Sequence, residues 1–227
     1  MTEILTIAHI RSPYGSKFGI PRQSGLADGV KAKIVFERDF ASCDAVRGLE
    51  AFSHIWLIWC FSENARDGWT PTVRPPRLGG NKRMGVFATR SPFRPNPLGL
   101  SCVELESIEY DETLGPILHV KGADLLDGTP IFDIKPYVPY ADARPAATGG
   151  FTDTSAFPTL SVDFSDEISL PDDVREELLT VLTQDPRPQY HDDPDRVYGM
   201  SFAGYNVKFR VTDDKLLVLE AEKLSLP

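Results

Sequence analysis

Arg90 and Arg94 stand among Pro92, Pro95 and Pro97 in the run Met84-Gly-Val-Phe-Ala-Thr-Arg-Ser-Pro-Phe-Arg-Pro-Asn-Pro-Leu-Gly-Leu-Ser101. A guanidinium is a planar, permanently charged fork that matches a carboxylate, a phosphate or a nucleotide. Each proline locks its own φ and holds the residue before it extended, so Ser91, Arg94 and Asn96 have little backbone freedom left to lose on binding. Such a segment suits an anion-binding loop. It suits a stiff turn at the rim of a sheet equally well, and composition does not choose between them.

A second run, Asp185-Pro-Arg187-Pro-Gln-Tyr190, repeats the pairing of rigid proline with an arginine that reads as exposed. Its alternative is a turn that stops a helix. Pro21-Arg22-Gln23, Ser62-Glu63 after an apolar run, and Asp124-Leu-Leu126-Asp127-Gly128-Thr129 are further polar clusters in loop-like sequence. The last is also a standard turn, with Gly128 supplying a positive φ. Several other chemistries are unsupported. There is no glycine-rich dinucleotide or Walker loop and no nucleophile elbow around Ser91 or Ser101. His9, His54, His119 and His191 lack zinc-site spacing, so no metal is expected, and His54 reads as a core histidine.

The chain carries a net charge of −9, which by itself opposes a nucleic-acid partner. Its distribution points the other way. No Asp or Glu occurs from Gly68 to Val103, where Arg74, Arg77, Lys82, Arg83, Arg90 and Arg94 supply six positive charges. The remainder carries −15, so a basic segment stands against an acidic body.

These groups need a scaffold. At 227 residues, 41% apolar and 25% charged, the chain has the composition of a soluble globular protein with a substantial core. Neither a secretory leader pattern nor a membrane-spanning apolar run is present, which predicts a cytoplasmic protein. Cys43, Cys60 and Cys102 are odd in number and widely spaced, and read as reduced. Alternating apolar residues predict strands over 4–10, 33–36, 55–60, 85–89, 101–110, 117–122 and 131–134, with one short helix over 43–52. Many strands at short spacing predict a mainly β protein, an antiparallel β-barrel in the N-terminal domain. Hydrophobic periodicity fades over 142–153, which separates a domain at 1–145 from a small α/β C-terminal domain at 146–227. There Pro171-Asp172-Asp173 opens a helix whose apolar face is Val174, Leu178, Val181 and Leu182, followed by a hairpin over 205–211 and 215–222.

The run from Met84 to Ser101 resembles the signature of the TsaA-like family, the TrmO-type tRNA adenine-N6-methyltransferases. Phe18-Gly-Ile-Pro-Arg-Gln23, Leu49-Glu-Ala-Phe-Ser-His-Ile-Trp56, Asp124-Leu-Leu-Asp-Gly-Thr-Pro130, Ile134-Lys-Pro-Tyr137 and the run around Arg187 match in the same order and cover most of the chain. The resemblance implies S-adenosylmethionine as cofactor, tRNA as partner and a homodimer without metal or membrane. It implies cofactor contacts at Pro21, Arg22, Gln23, Ser62, Glu63, Arg90, Leu100, Asp124, Leu126, Asp127, Gly128 and Thr129. The methylated group is then the exocyclic amine of an adenosine, commonly threonylcarbamoylated, beside the anticodon. Arg94, Asn96, Arg187 and Tyr190 fall on the RNA side, with Phe93 or Tyr137 able to stack on a base. Asp133 and Tyr137 are the candidate proton acceptors. One departure stands out: Ser62-Glu63-Asn64 occupies the place where the family pattern leads one to expect His-Glu-Asn, so any role for an imidazole base there is in doubt. Two rival readings keep the pocket and lose the RNA: a non-catalytic S-adenosylmethionine-binding regulatory module, and a methyltransferase of a small metabolite.

Overall fold

The computed structural model describes residues 3–64, 69–75, 78, 82–154, 159–187 and 193–224. Among them the strands are β1 (Ala8–Arg11), β2 (Lys31–Phe36), β3 (His54–Cys60), β4 (Thr72–Val73), β5 (Met84–Gly85), β6 (Leu98–Asp111), β7 (Gly115–Lys121), β8 (Pro130–Pro136), β9 (Ser161–Phe164), β10 (Val197–Phe202), β11 (Tyr205–Thr212) and β12 (Lys215–Lys223). The helices are a single turn, α1 (Pro139–Asp142), and the longer α2 (Asp172–Thr183). No helix among the described residues is long and apolar enough to cross a membrane.

The first sheet closes on itself in the order β1-β2-β7-β6-β3-β8, with every neighbouring pair antiparallel. Closure leaves no unpaired edge in this sheet. Period-two alternation sends Ile55, Leu57 and Trp59 of β3 inward, where they meet Ser101, Val103 and Leu105 of β6. Each aliphatic side chain so buried contributes about 1.5–3 kcal/mol.

The second sheet runs β10-β11-β12-β9, with β9 parallel to β12, and α2 packs Leu178, Val181 and Leu182 into its core. Asp172 and Asp173 lie in the first turn of α2, where the helix dipole favours negative charge. This core also takes in residues from near the N-terminus. Tyr14, Ala27 and Val30 are buried in it, Phe18 and Ile20 pack against it, and Tyr14 bridges to Phe202. The excursion between β1 and β2 therefore belongs to both units and ties the barrel to the second sheet.

Local departures from the sequence expectation have local causes. The expected helix over 43–52 is two 3-10 turns, Cys43–Val46 and Leu49–Ala51, because Gly48 between them is left-handed at φ 86°. The expected strand over 85–89 ends at Gly85 and gives way to the turn Val86–Ala88, whose Val86 carbonyl accepts the Thr89 hydroxyl at 2.8 Å. His54 is exposed rather than in the core, with its Nδ1 2.9 Å from the Ser53 hydroxyl. The sequence pattern does not reveal β9 and β10, because the first is short and the second lacks β-branched residues apart from Val197.

Candidate functional site at the barrel mouth

At one end of the barrel, β3 and β6 run out into loops that enclose a cavity of about 400 Å³, within the range of small-molecule sites. Its floor depends on one glycine. Trp59 and Gly99 are register partners, and a Cβ on Gly99 would come within 2.2 Å of the Trp59 ring, so only glycine lets the indole lie across β6. Phe61 packs beside it, with ring centroids 4.3 Å apart.

The indole also orders a polar chain. Trp59 Nε1 donates to the Ser101 hydroxyl at 2.9 Å, and Ser101 in turn donates to Asp124 Oδ1 at 2.5 Å. Ser101 is 1% exposed, a polar group at an inward strand position whose bonding is met on both sides. Asp124 is largely buried, and burial pushes its carboxyl above the ordinary carboxylate range, against the opposing pull of the Ser101 hydroxyl and the Arg90 charge. No signal in the one-dimensional pattern joined Trp59 to Ser101 and Asp124, although alternation placed the first two on inward faces.

Most residues singled out from sequence as cofactor contacts meet here. Pro21, Arg22 and Gln23 form one wall, and Ser62 and Glu63 enter on a 3-10 turn directly after β3. Arg90 comes from the proline-rich segment, Leu100 from β6, and Asp124, Leu126 and Thr129 from the turn before β8. Gln23 is held from both sides, accepting from Arg90 Nη1 and donating to the Arg22 carbonyl. Asp127 and Gly128 stay outside the lining and build the turn instead. Asp127 Oδ1 accepts the Ser12 amide at 3.0 Å, Gly128 takes φ 75°, and its amide reaches the Ile10 carbonyl at 2.9 Å. Lys17, Ile20, Cys60, Phe61, Leu98 and Gly99 also line the cavity and were not anticipated. Burial pushes the Cys60 thiol up, away from nucleophilic character.

The residues expected on the RNA side divide. Arg94 lines the cavity, but its Nη2 donates to the carbonyls of Val86 at 3.4 Å and Thr89 at 3.2 Å, stapling its own loop. Asn96 is exposed outside the cavity, with its carbonyl accepting the Leu98 amide at 2.7 Å. Arg187 is not the exposed arginine the sequence suggested. Its side chain is 14% exposed and forks onto Asp185 with two contacts of 2.9 Å, while its carbonyl accepts Arg22 Nη2 at 3.2 Å. Tyr190 lies outside the described residues.

The two candidate proton acceptors are elsewhere. Asp133 pairs with Lys135 at 2.9 Å. Tyr137 packs with Trp56 and His54 beyond the far end of β8, its amide donating to the His54 carbonyl. Neither lines the cavity, because β8 carries them away from the turn that ends at Thr129.

Residues 9–143 match the family model for the tRNA-methyltransferase O N-terminal domain, and 158–224 match the TrmO C-terminal domain. The chain is 45% identical over 217 residues to the tRNA (adenine(37)-N6)-methyltransferase of Escherichia coli, covering 91% of this chain and 92% of that protein. It is 38% identical over 138 residues to a probable S-adenosyl-L-methionine-binding protein of Pyrococcus abyssi, covering 61% of this chain and 69% of that one. A crystal structure of TrmO from Pseudomonas aeruginosa matches with a TM-score of 0.80 at 34% identity, covering 97% of this chain and 98% of that chain. The agreement runs through the barrel, the second sheet and the segments that build the cavity, and the chain belongs to the tRNA-methyltransferase O family.

Proposed function

We propose that this protein is an S-adenosylmethionine-dependent methyltransferase acting on the exocyclic amine of an adenosine beside the tRNA anticodon. The observation that carries the reading is the meeting of Pro21–Gln23, Ser62–Glu63, Arg90 and the Asp124–Thr129 turn in one cavity, in a chain whose relatives bear that activity in their names.

The donor set fits the cofactor. S-adenosylmethionine carries a carboxylate, an ammonium, a sulfonium and an adenine. The cavity offers arginines at 22, 90 and 94, carboxylates at 63 and 124, and the ring edges of Trp59 and Phe61. When bound, it supplies an electrophilic methyl group. The chain's part is then mainly positioning, which in well-oriented reactions accounts for about 7–11 kcal/mol of the barrier. Arg90, oriented by Gln23, suits the carboxylate, and Leu100 with Leu126 keeps water from the apolar side.

Methylating an amine also releases a proton. Asp124, a carboxylate in the cavity wall, is the group we assign to take it. Burial raises its affinity for a proton, and the Ser101 hydroxyl, fixed by Trp59, holds the carboxylate in one orientation.

The test is incubation with labelled S-adenosylmethionine and tRNA isolated with and without the threonylcarbamoyl modification, followed by digestion to nucleosides. Label in an N6-methylated adenosine is the expected result. Cofactor binding without label in any nucleoside would overturn the reading in favour of a binding module.

A further inference from the structure

Beside the cavity lies a second, wider groove of about 1560 Å³, which shares Arg22, Gln23 and Arg90 with it. The short hairpin β4–β5 shapes it. Thr72 pairs with Gly85, and the ladder continues outward with the Val86 amide on the Pro71 carbonyl at 3.0 Å. That register brings Trp69, just before β4, against Phe87, just after β5. Their rings stack with centroids 6.1 Å apart and planes 23° apart, yet Trp69 is 48% and Phe87 75% exposed. Two large rings held together and left facing solvent have no role in either core.

The charge of the groove is one-sided. Among the described residues Arg22, Arg74 and Arg90 line it and no Asp or Glu does, in a chain of net charge −9. Aromatic faces combined with arginines in a groove are the arrangement by which proteins hold unpaired nucleobases and the phosphates between them. An acidic peptide would use the charge and leave the rings uncovered. An apolar peptide would cover three permanently charged guanidinium groups and bring them no counter-charge.

Resting on the function proposed above, we propose that the Trp69–Phe87 pair stacks an unpaired nucleobase flanking the target adenosine, with Arg74 on the adjoining phosphate and Arg90 at the border with the reaction cavity. The groove thereby sets which nucleotide reaches the cavity.

The test uses the full chain and an RNA anticodon stem-loop carrying adenosine 3′ of the anticodon. RNA affinity, S-adenosylmethionine affinity and oligomeric state are measured for the parent, Phe87→Ala, Phe87→Tyr and Trp69→Ala. Phe87→Ala and Trp69→Ala are expected to weaken RNA binding by about tenfold each, toward the low end for one stacked base. Phe87→Tyr should restore it, and S-adenosylmethionine affinity should not change. Unchanged RNA affinity in Phe87→Ala, in a parent that binds and methylates RNA, would overturn the stacking role and leave the proposed function standing. A parent that binds S-adenosylmethionine but no RNA would overturn both. A dimeric parent turned monomeric by Phe87→Ala would assign the groove to a second copy of the chain and overturn the RNA subsite.

Discussion

Arg90 and Arg187 both sit in segments that join arginine with rigid proline, Arg90 two residues before Pro92 and Arg187 between Pro186 and Pro188, and their charges meet different fates. Arg90 makes no ion pair among the described residues, donates to Gln23 and stands where the cavity and the groove join. Arg187 folds back on Asp185, two residues away, does not line the cavity, and accepts Arg22 Nη2 through its carbonyl. The difference lies in their neighbours. The segment around Arg90 holds no acid from Gly68 to Val103, so its charge has no carboxylate of its own to close on. A partly buried bidentate pair such as Arg187–Asp185 is a local clamp, with little field left for an RNA phosphate.

Four experiments can break or sharpen that contrast. The largest effect is expected at Asp124, the carboxylate on which the Arg90 charge acts. Asp124→Asn should lower turnover by about 10²–10⁴-fold, the usual contribution of a positioned proton acceptor. It should not lower the melting temperature at neutral pH. The folded protein raises the pKa of this carboxyl, whereas the unfolded chain titrates it near ~3.9. Its contribution to stability is therefore present below the unfolded value and lost as pH rises through the folded one. Parent turnover should correspondingly fall as pH drops through the raised value, and a flat acid limb in a pH profile would remove Asp124 as acceptor.

Next comes Arg90→Ala, which should weaken S-adenosylmethionine binding by about tenfold, roughly the 1.5 kcal/mol of a charged hydrogen bond, in calorimetric titration. Because Arg90 is exposed, its melting temperature should stay close to the parent's. Arg94→Ala should act the other way round. It removes the donor that staples Val86 and Thr89, and should cost about 1 kcal/mol in denaturant unfolding while changing cofactor affinity less than Arg90→Ala. The smallest effect belongs to Arg187→Ala. It should cost about 1 kcal/mol of stability, as for a partly exposed pair, and leave the salt slope of tRNA binding unchanged. A slope reduced by about one would instead return Arg187 to the phosphate backbone and erase the contrast.

The site was legible in pieces. The proline-arginine run, the Pro21–Gln23 cluster and the Asp124–Thr129 turn were each recognisable, because loops that must hold a fixed shape need proline, glycine and short polar residues at set places. Trp59 and Gly99 were not, since their relation exists only across the β3–β6 register. Trp69 and Phe87 escaped notice for the same reason. They lie far apart in the chain and meet because β4 and β5 pair. Asp133 and Tyr137 carried plausible chemistry, but nothing in their local sequence says to which end of β8 they belong.

The sequence by itself determined most strands of the barrel and the terminal hairpin, the amphipathic helix α2, and the asymmetry between a basic segment and an acidic body. All follow from short-range periodicity and counting, which need no knowledge of partners. Only the tertiary structure decided which loops share the barrel mouth, that the half-buried Asp124 is bonded to Ser101, that Arg187 is neutralised while Arg90 is not, and that residues 14–30 pack into the second core. Those outcomes depend on barrel closure and strand register, long-range pairings whose energy comes from burial across the whole sheet and is not encoded in any one segment.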